Sequence, residues 1–515
     1  MAGTGTLAIS RGAPAAPAES AYARHRPEET VLYKLLAEHW RPFLAETQAG
    51  DESGCGLPRF VVDEVEAFLR CGILAHGFIR VACDACRESR VVAFSCKRRG
   101  FCPSCLGRRM CDFAAYLRDH VMPHVPVRQW VLTVPFGLRF GMAFDPALTG
   151  IVLRGFVGVV SRWLRRRARA YGIRGALKTG GVTVIQRFGS ALNLNVHFHT
   201  LMIDGVYEIR PSGTALFHPI SAPTDEEVAA VAEQVYRKVA RMLNARGDDG
   251  SDALARGEPA LTTLASASVA GVTATGPRRG ARTLRLGSGN APEAAIAGRR
   301  CAAVEGFSLH ANMRVAANDR DGLEHLARYL ARPPVATERL PLLPDGRVAL
   351  RFKRPFADGT EAVVFTPFEL IERLLPLIPR PRKHTIRFHG ILAPAAGYRS
   401  KVVPASETTT TTIPPPSERP TPHRLPWAEL LRRVFLVDGI ECPRCHGRMR
   451  IIAAVTEPGA IDRVLRHLGE SPAPPPIASA RAPPRGDEEA DLRQLDLPDP
   501  DFAPGASSRP ARSER

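Results

Sequence analysis

The stretch 192-LNLNVHFHTLMIDGVY-207 decides how the rest of the chain is read. Apolar and polar residues alternate from Leu194 to Thr200, which predicts a half-buried strand with Asn195, His197 and His199 on one face. Two imidazoles then stand about 7 Å apart along the backbone, at ~3.3 Å per residue. Such a pair presents neighbouring nitrogens to one divalent ion, the plainer alternative being satisfied structural histidines. With no acidic cluster nearby, the coordination shell keeps room for water and phosphate oxygens, which suits Mg²⁺ or Mn²⁺. Working outward, residues 181–188 predict a second strand, and 189-GSALN-193 turns it back on the first. That hairpin sets Gln186 opposite His197, either as a third ligand or as a solvated strand polar. Asp204 is the other candidate ligand, although its even position puts it on the opposite face unless the strand bends at Asp204-Gly205.

A chain of 515 residues with 44% hydrophobic content holds two or three globular domains. It contains no uninterrupted apolar run of membrane-spanning length, and the N-terminus lacks the charged start and apolar centre of a signal peptide. The expectation is a cytoplasmic protein without a membrane partner. A formal net charge of +18 asks for an anionic partner, most economically nucleic acid, although a biased base composition would also enrich arginine.

Residues 1–28 and 471–515 read as disordered ends, and 404-PASETTTTTIPPPSERPTPHRLP-426 marks a linker at 401–426. These delimit a helical and zinc-binding segment (29–125), a core domain (126–400) and a small C-terminal module (427–470). Residues 246–258 and 276–290 look like surface insertions. Thr224 with Glu227, and Thr366 with Pro367 and Glu369, form capping boxes that open helices. Residues 128–134 and 340–365 predict further strands, and 151–171 a helix with a basic end.

Eleven cysteines in a reducing compartment argue for metal rather than disulfides. Cys83-x2-Cys86 and Cys102-x2-Cys105, fifteen residues apart, have the spacing of a closed four-thiolate zinc site, structural rather than catalytic. Cys71, Cys96 and Cys111 stand near enough to substitute as ligands. Cys442-x2-Cys445 is half a site, which either meets a distant ligand pair around a second zinc or marks an ordinary turn. Arg98, Arg99 and Arg108 crowd the second knuckle, as expected of a module that touches phosphates.

A metal on a phosphate needs a nucleophile, and no Ser-His-Asp order or Gly-rich loop is present. Tyr329 stands in 319-DRDGLEHLARYLARPP-334, an amphipathic helix with Leu323, Leu326 and Leu330 as its apolar stripe, stopped by Pro333-Pro334. It lies at the edge of that stripe among His325, Arg328 and Arg332, either as a reactive phenol or as an interfacial core tyrosine. The basic run 379-PRPRKHTIRFHG-390 offers Arg382, Lys383 and Arg387 to a strand of DNA, with Phe388 and His389 for base stacking, or is a solvated face.

Together, the His-hydrophobic-His strand, 131-VLTVP-135, the cysteine module, 327-ARYLARPPVATERL-340, 387-RFHGILAPAAGYR-399 and 442-CPRCHGRMRII-452 resemble the rolling-circle transposases of the insertion-sequence ninety-one family. The likeness runs over residues 68–469. It implies an α+β fold in which a small four-cysteine zinc-binding domain precedes a nuclease core of the His-hydrophobic-His (HUH) class, an antiparallel sheet flanked by helices. It further implies that His197 and His199 hold a divalent ion against the scissile phosphate of single-stranded DNA while Tyr329 attacks it. The zinc module would read a hairpin or duplex at the element's end. Better-known members carry two tyrosines one helical turn apart, whereas this chain has His325 four positions before Tyr329. A single reused tyrosine, or one from a second protomer, is the expectation here. Two rivals stand beside this reading: a plasmid rolling-circle replication initiator of the same chemistry, and a zinc-dependent DNA-binding regulator without catalysis.

Overall fold

The computed structural model describes residues 24–51, 54–246, 257–286, 298–356, 358–404, 433 and 441–480. Residues 1–23, most of the expected linker, most of the 246–258 insertion and the tail beyond 480 lie outside the described residues. The chain divides into two compact units, the smaller drawn from the segments 1–26, 72–94 and 424–474, the larger from the remainder.

The larger unit is built on an antiparallel sheet. Its strands run Cys301–Val304, Phe307–His310, Val127–Thr133, Leu194–Ile203, Gly180–Phe188 and Ile386–Gly390 in spatial order, and Arg314–Val315 also pairs with Val127–Thr133. The histidine strand, Leu194–Ile203, is therefore central, bonded on both sides. Alternation sends its side chains to two different cores. Leu201 and Ile203, with Val127, Val182 and Val184, meet Leu117 of helix Pro103–His120, Val121 just after it, and Leu323, Leu326, Ala327 and Leu330 of the tyrosine helix, Arg320–Leu330. On the opposite face Phe198 stacks on Phe156, and Trp130 meets Trp163 edge-on at 5.7 Å, both partners standing on helix Pro146–Ala170. That helix is long and apolar enough to cross a membrane by composition alone, but its Leu148, Val152, Phe156, Val160 and Leu164 are buried in this core.

The fold is α+β, and its local signals are realised where they are strongest. Thr224 and Glu227 close a reciprocal capping box on helix Asp225–Asn244, and Thr366 and Glu369 do so on Pro367–Leu374. Within the basic run, Ile386–Gly390 is an edge strand, paired through Ile386 to Val184 and His389 to Gly181. Within the stretch expected to be a disordered tail, residues 471–480 are described, and Ala478 donates a 2.9 Å backbone hydrogen bond to the Ala37 carbonyl on helix Val31–Ala49.

Asp204 is not a metal ligand. Its carboxylate accepts from Arg128 Nε at 3.0 Å and Nη2 at 2.8 Å, with Arg314 Nε at 3.3 Å, and both Arg128 and Asp204 are almost fully buried. A buried carboxylate needs a cation, and at this end of the strand the guanidinium of Arg128 is already there.

The smaller unit is a three-stranded antiparallel sheet ordered Met449–Val455, Phe78–Cys83, Ser89–Ala93. Helix Pro458–His467 lays Ile461 and Leu465 on Leu74 and Phe78. The segments expected as separate N- and C-terminal modules thus share one small sheet, because the hairpin at 78–93 leaves an edge that only the distant strand fills.

Removing one partner of a buried ion pair leaves a buried charge uncompensated, at a cost of about 3–5 kcal/mol. Asp204→Ala is expected to lower unfolding stability by that order in chemical denaturation, whereas a variant at the exposed His325 leaves it unchanged.

Candidate active site and cysteine centres

Cross-strand pairing brings several polar side chains to the face that meets the tyrosine helix. His197 stands opposite Thr133 and Gln186, His199 opposite Val131 and Val184. His197 Nδ1 lies 3.0 Å from the Asn195 carbonyl and His199 Nδ1 lies 2.8 Å from Gln129 Nε2, so each ring is held by its Nδ1 edge. The two Nε2 atoms consequently converge to 3.1 Å. In a metal-free pair one Nε2 donates to the other, whereas ligation needs both lone pairs turned outward. That requires Nδ1–H on His199 and the amide oxygen of Gln129 toward it, a half-turn of one side chain.

Gln186, the expected third ligand, points into the same place. Its Nε2 donates to the Leu330 carbonyl at 2.6 Å, and its buried Oε1 has no hydrogen-bond partner among the described residues. Asn195 Oδ1 on the same face is likewise unpartnered. An unsatisfied buried oxygen costs about 1–3 kcal/mol. Two neutral imidazole nitrogens beside orphaned amide oxygens therefore fit a hard divalent cation that retains waters.

Tyr329 edges onto His199 with ring centroids 6.2 Å apart and is 46% exposed, so its hydroxyl is open to a ligand. Arg332 spreads its guanidinium over the Tyr329 ring at 4.3 Å and lies 5.8 Å from the ring of Phe188. Arg328 is committed elsewhere: it pairs with the buried Glu324, which Arg118 also engages at 2.8 Å. His325 is exposed. Burial pushes the His197 pKa down to about 4 despite its bond to Asn195, and Arg332 and Arg139 add to the fall. His199 is lowered well below its ordinary value by burial, then by His197 and Arg332.

The basic segments far apart in sequence meet at one bond, Arg99 Nη1 donating to the Lys383 carbonyl at 2.8 Å. Arg108, Arg382, Lys383 and Arg387 are exposed, and Arg98 is partly so. His389, expected to be free for stacking, is turned inward. It bonds Thr183 Oγ1 at 2.9 Å, and burial pushes its pKa to about 4, helped by Arg387. Phe388 is half-buried, one side packed against the core.

The cysteines do not assemble as expected. Cys83, Cys86, Cys102 and Cys105 share no centre; Cys102 and Cys105 join Cys71 and Cys96, while Cys83 and Cys86 join Cys442 and Cys445. In the first cluster the sulfurs lie 3.7 Å (Cys71 to Cys105), 3.3 Å (Cys96 to Cys105) and 3.7 Å (Cys71 to Cys102) apart. A Zn–S bond of ~2.3 Å sets tetrahedral sulfurs ~3.8 Å apart, so a structural zinc fits. Cys71 ends helix Arg59–Arg70 and Cys102 caps Pro103–His120, and the centre ties these two helices together. Cys111, the other candidate, belongs to neither cluster. Sequence reasoning missed Gln129, a lone amide in an apolar strand, whose only signal is its odd position in 128-RQWVLTV-134.

Residues 180–400 match the family described as "Putative transposase", and residues 35–134 match "Transposase zinc-binding domain". The chain is 24% identical over 410 residues to the "Transposase for insertion sequence element IS801" of Pseudomonas savastanoi pv. phaseolicola, covering 78% of this chain and 85% of that one. No solved structure matches.

Because the buried histidines resist protonation, the unfolded chain takes up protons first as pH falls. The metal-free protein is expected to hold a constant melting temperature above the ordinary imidazole value of 6.5 and to lose stability from there down to about 4. Differential scanning calorimetry across that range checks it, and replacing His389 by Gln should flatten part of the slope.

Proposed function

As a member of the insertion-sequence ninety-one family of transposases, with its N-terminal zinc-binding domain, the chain acts on DNA, and we propose that it nicks and rejoins single strands at its element's ends through Tyr329. The observation that carries this reading is the pair of converging Nε2 atoms, 3.1 Å apart, beside a solvent-open tyrosine ring 6.2 Å from His199.

In this mechanism the Tyr329 hydroxyl oxygen attacks the scissile phosphorus. The P–O3′ bond breaks, the 3′ oxygen leaves and takes up a proton, and the phenolic proton passes to solvent. The product is a 5′-phosphotyrosine with a free 3′-OH. A second 3′-OH attacking that phosphorus releases the tyrosine and seals a new strand, so bond energy is conserved without ATP and rolling-circle transfer follows. His197 Nε2, His199 Nε2 and Gln186 Oε1 would hold a Mg²⁺ or Mn²⁺ ion, which supplies charge stabilisation at the phosphate oxygens. Arg332, lying over Tyr329, holds positive charge where the anionic strand must approach. Arg98, Arg99 and Arg108, joined to Arg382, Lys383 and Arg387 by the Arg99–Lys383 bond, form the track for the strand's backbone. Arg328 is spent within the tyrosine helix, paired with Glu324 one turn back, and Arg118 ties that same Glu324 to helix Pro103–His120.

A 3′-end-labelled single strand from an element end, incubated with protein and Mg²⁺, is expected to migrate with the protein on a denaturing gel. Tyr329→Phe, His199→Ala or a chelator should remove that band. Retained binding with no adduct in the wild type would instead favour a DNA-binding protein without catalysis.

Residues that orient a metal-bound histidine typically change metal affinity by about 10–100-fold. Gln129→Leu should weaken Mn²⁺ binding by that order in calorimetric titration, whereas Gln129→Glu, which keeps an acceptor for His199 Nδ1–H, should stay near wild type.

A further inference from the structure

The second cysteine cluster lies partly outside the residues matched by the two transposase families, since Cys442 and Cys445 follow residue 400. Its two halves adopt the same local conformation. In the first, Cys83 N donates to the Glu88 carbonyl at 2.8 Å and Arg87 N to the Cys83 carbonyl at 3.1 Å. In the second, Cys442 N donates to the Gly447 carbonyl at 2.8 Å and His446 N to the Cys442 carbonyl at 2.9 Å. The residue after each second cysteine is left-handed, Arg87 at φ 62° and His446 at φ 58°, a conformation that non-glycine residues adopt only where something holds them. Each turn aims two sulfurs at the other pair, with Cys83 and Cys445 Sγ 3.5 Å apart and Cys86 and Cys442 Sγ 3.4 Å apart. These separations exceed a disulfide bond of ~2.05 Å and approach the sulfur edge of a zinc tetrahedron. Gly447 is fitted to the crowding, as a Cβ there would stand 3.2 Å from the sulfurs of both Cys445 and Cys83.

A second observation points to a ligand independently. Among the described residues, the fully enclosed apolar core of this unit consists of little more than Leu74, Phe78, Ile461 and Leu465, with Met449 beside the cysteines. A core of that size is of the kind that a structural metal staples. Yet Met449–Val455 is paired along its length to Phe78–Cys83, from Phe78 with Val455 to Cys83 with Met449.

We propose that Cys83, Cys86, Cys442 and Cys445 bind a second structural zinc, forming a zinc ribbon whose two knuckles come from opposite ends of the chain. The chain then carries two zinc ions, one for each cysteine cluster. The C-terminal segment is held to the 72–94 hairpin by metal as well as by strand pairing, and the long segment between becomes a closed loop with the ribbon as its clasp.

Elemental analysis of the full-length purified protein is expected to give two zinc ions per chain. The double variant Cys442→Ser, Cys445→Ser should retain one, and Cys301→Ser, outside both clusters, should retain two. A site-specific protease sequence placed in 404–426 provides a readout that does not depend on the cysteine variants folding. After cleavage, the C-terminal fragment should co-elute with the rest of the chain in size-exclusion chromatography and separate when a zinc chelator is added. One zinc per wild-type chain, or a fragment whose retention is indifferent to chelator, overturns the proposal. So does an intact mass lowered by one or two disulfides under non-reducing conditions.

Discussion

Period-two alternation in the strand Leu194–Ile203 is the constraint on which the site depends. Its pairing to Val127–Thr133 on one side and Gly180–Phe188 on the other puts Gln129, Gln186, His197 and His199 on a single face at one stroke. A slip of one residue would carry both imidazoles to the side where Phe198 stacks on Phe156, and would bring Val196 and Phe198 to the tyrosine helix. Apolar contacts on both faces make that slip costly, and the buried Arg128–Asp204 pair pins the far end. Gln186 extends the constraint beyond the sheet. By bonding the Leu330 carbonyl it couples the histidine register to the end of the helix that bears Tyr329.

The arginines divide into two populations that composition cannot separate. Arg128 neutralises Asp204, Arg328 neutralises Glu324, and Arg187 ties together the carbonyls of Ala143, Pro376 and Leu377 from within the fold. A guanidinium suits such work because its planar fork satisfies several acceptors at once. The exposed residues, Arg108, Arg382 and Arg387 among them, carry the field that an anionic strand would meet. The net charge of +18 agrees with DNA as the partner, but it counts the buried and the exposed arginines alike.

Cysteine spacing shows the same separation between local and distant information. A CxxC pair predicts a knuckle, because four residues suffice to turn two sulfurs the same way. The choice of partner pair is another matter. Cys83-x2-Cys86 has Cys102-x2-Cys105 close at hand in sequence, yet its own sheet edge is completed by Met449–Val455, which brings Cys442 and Cys445 instead. Cys102 and Cys105, on the first turn of Pro103–His120, then find Cys71 at the end of Arg59–Arg70 and Cys96 on the intervening loop.

What the sequence determined by itself is therefore whatever repeats within a few residues: the alternating histidine strand, the two capping boxes, the amphipathic helix around Tyr329 and the existence of thiolate knuckles. Each follows from a period or a short hydrogen-bonded ring that neighbouring residues complete alone. Only the tertiary structure decided how the cysteines divide, that Gln129 supports His199, that Asp204 belongs to Arg128, and that His389 turns inward to Thr183. Those partners lie from 9 to 362 residues apart, and sheet pairing and burial selected them from several locally equivalent alternatives.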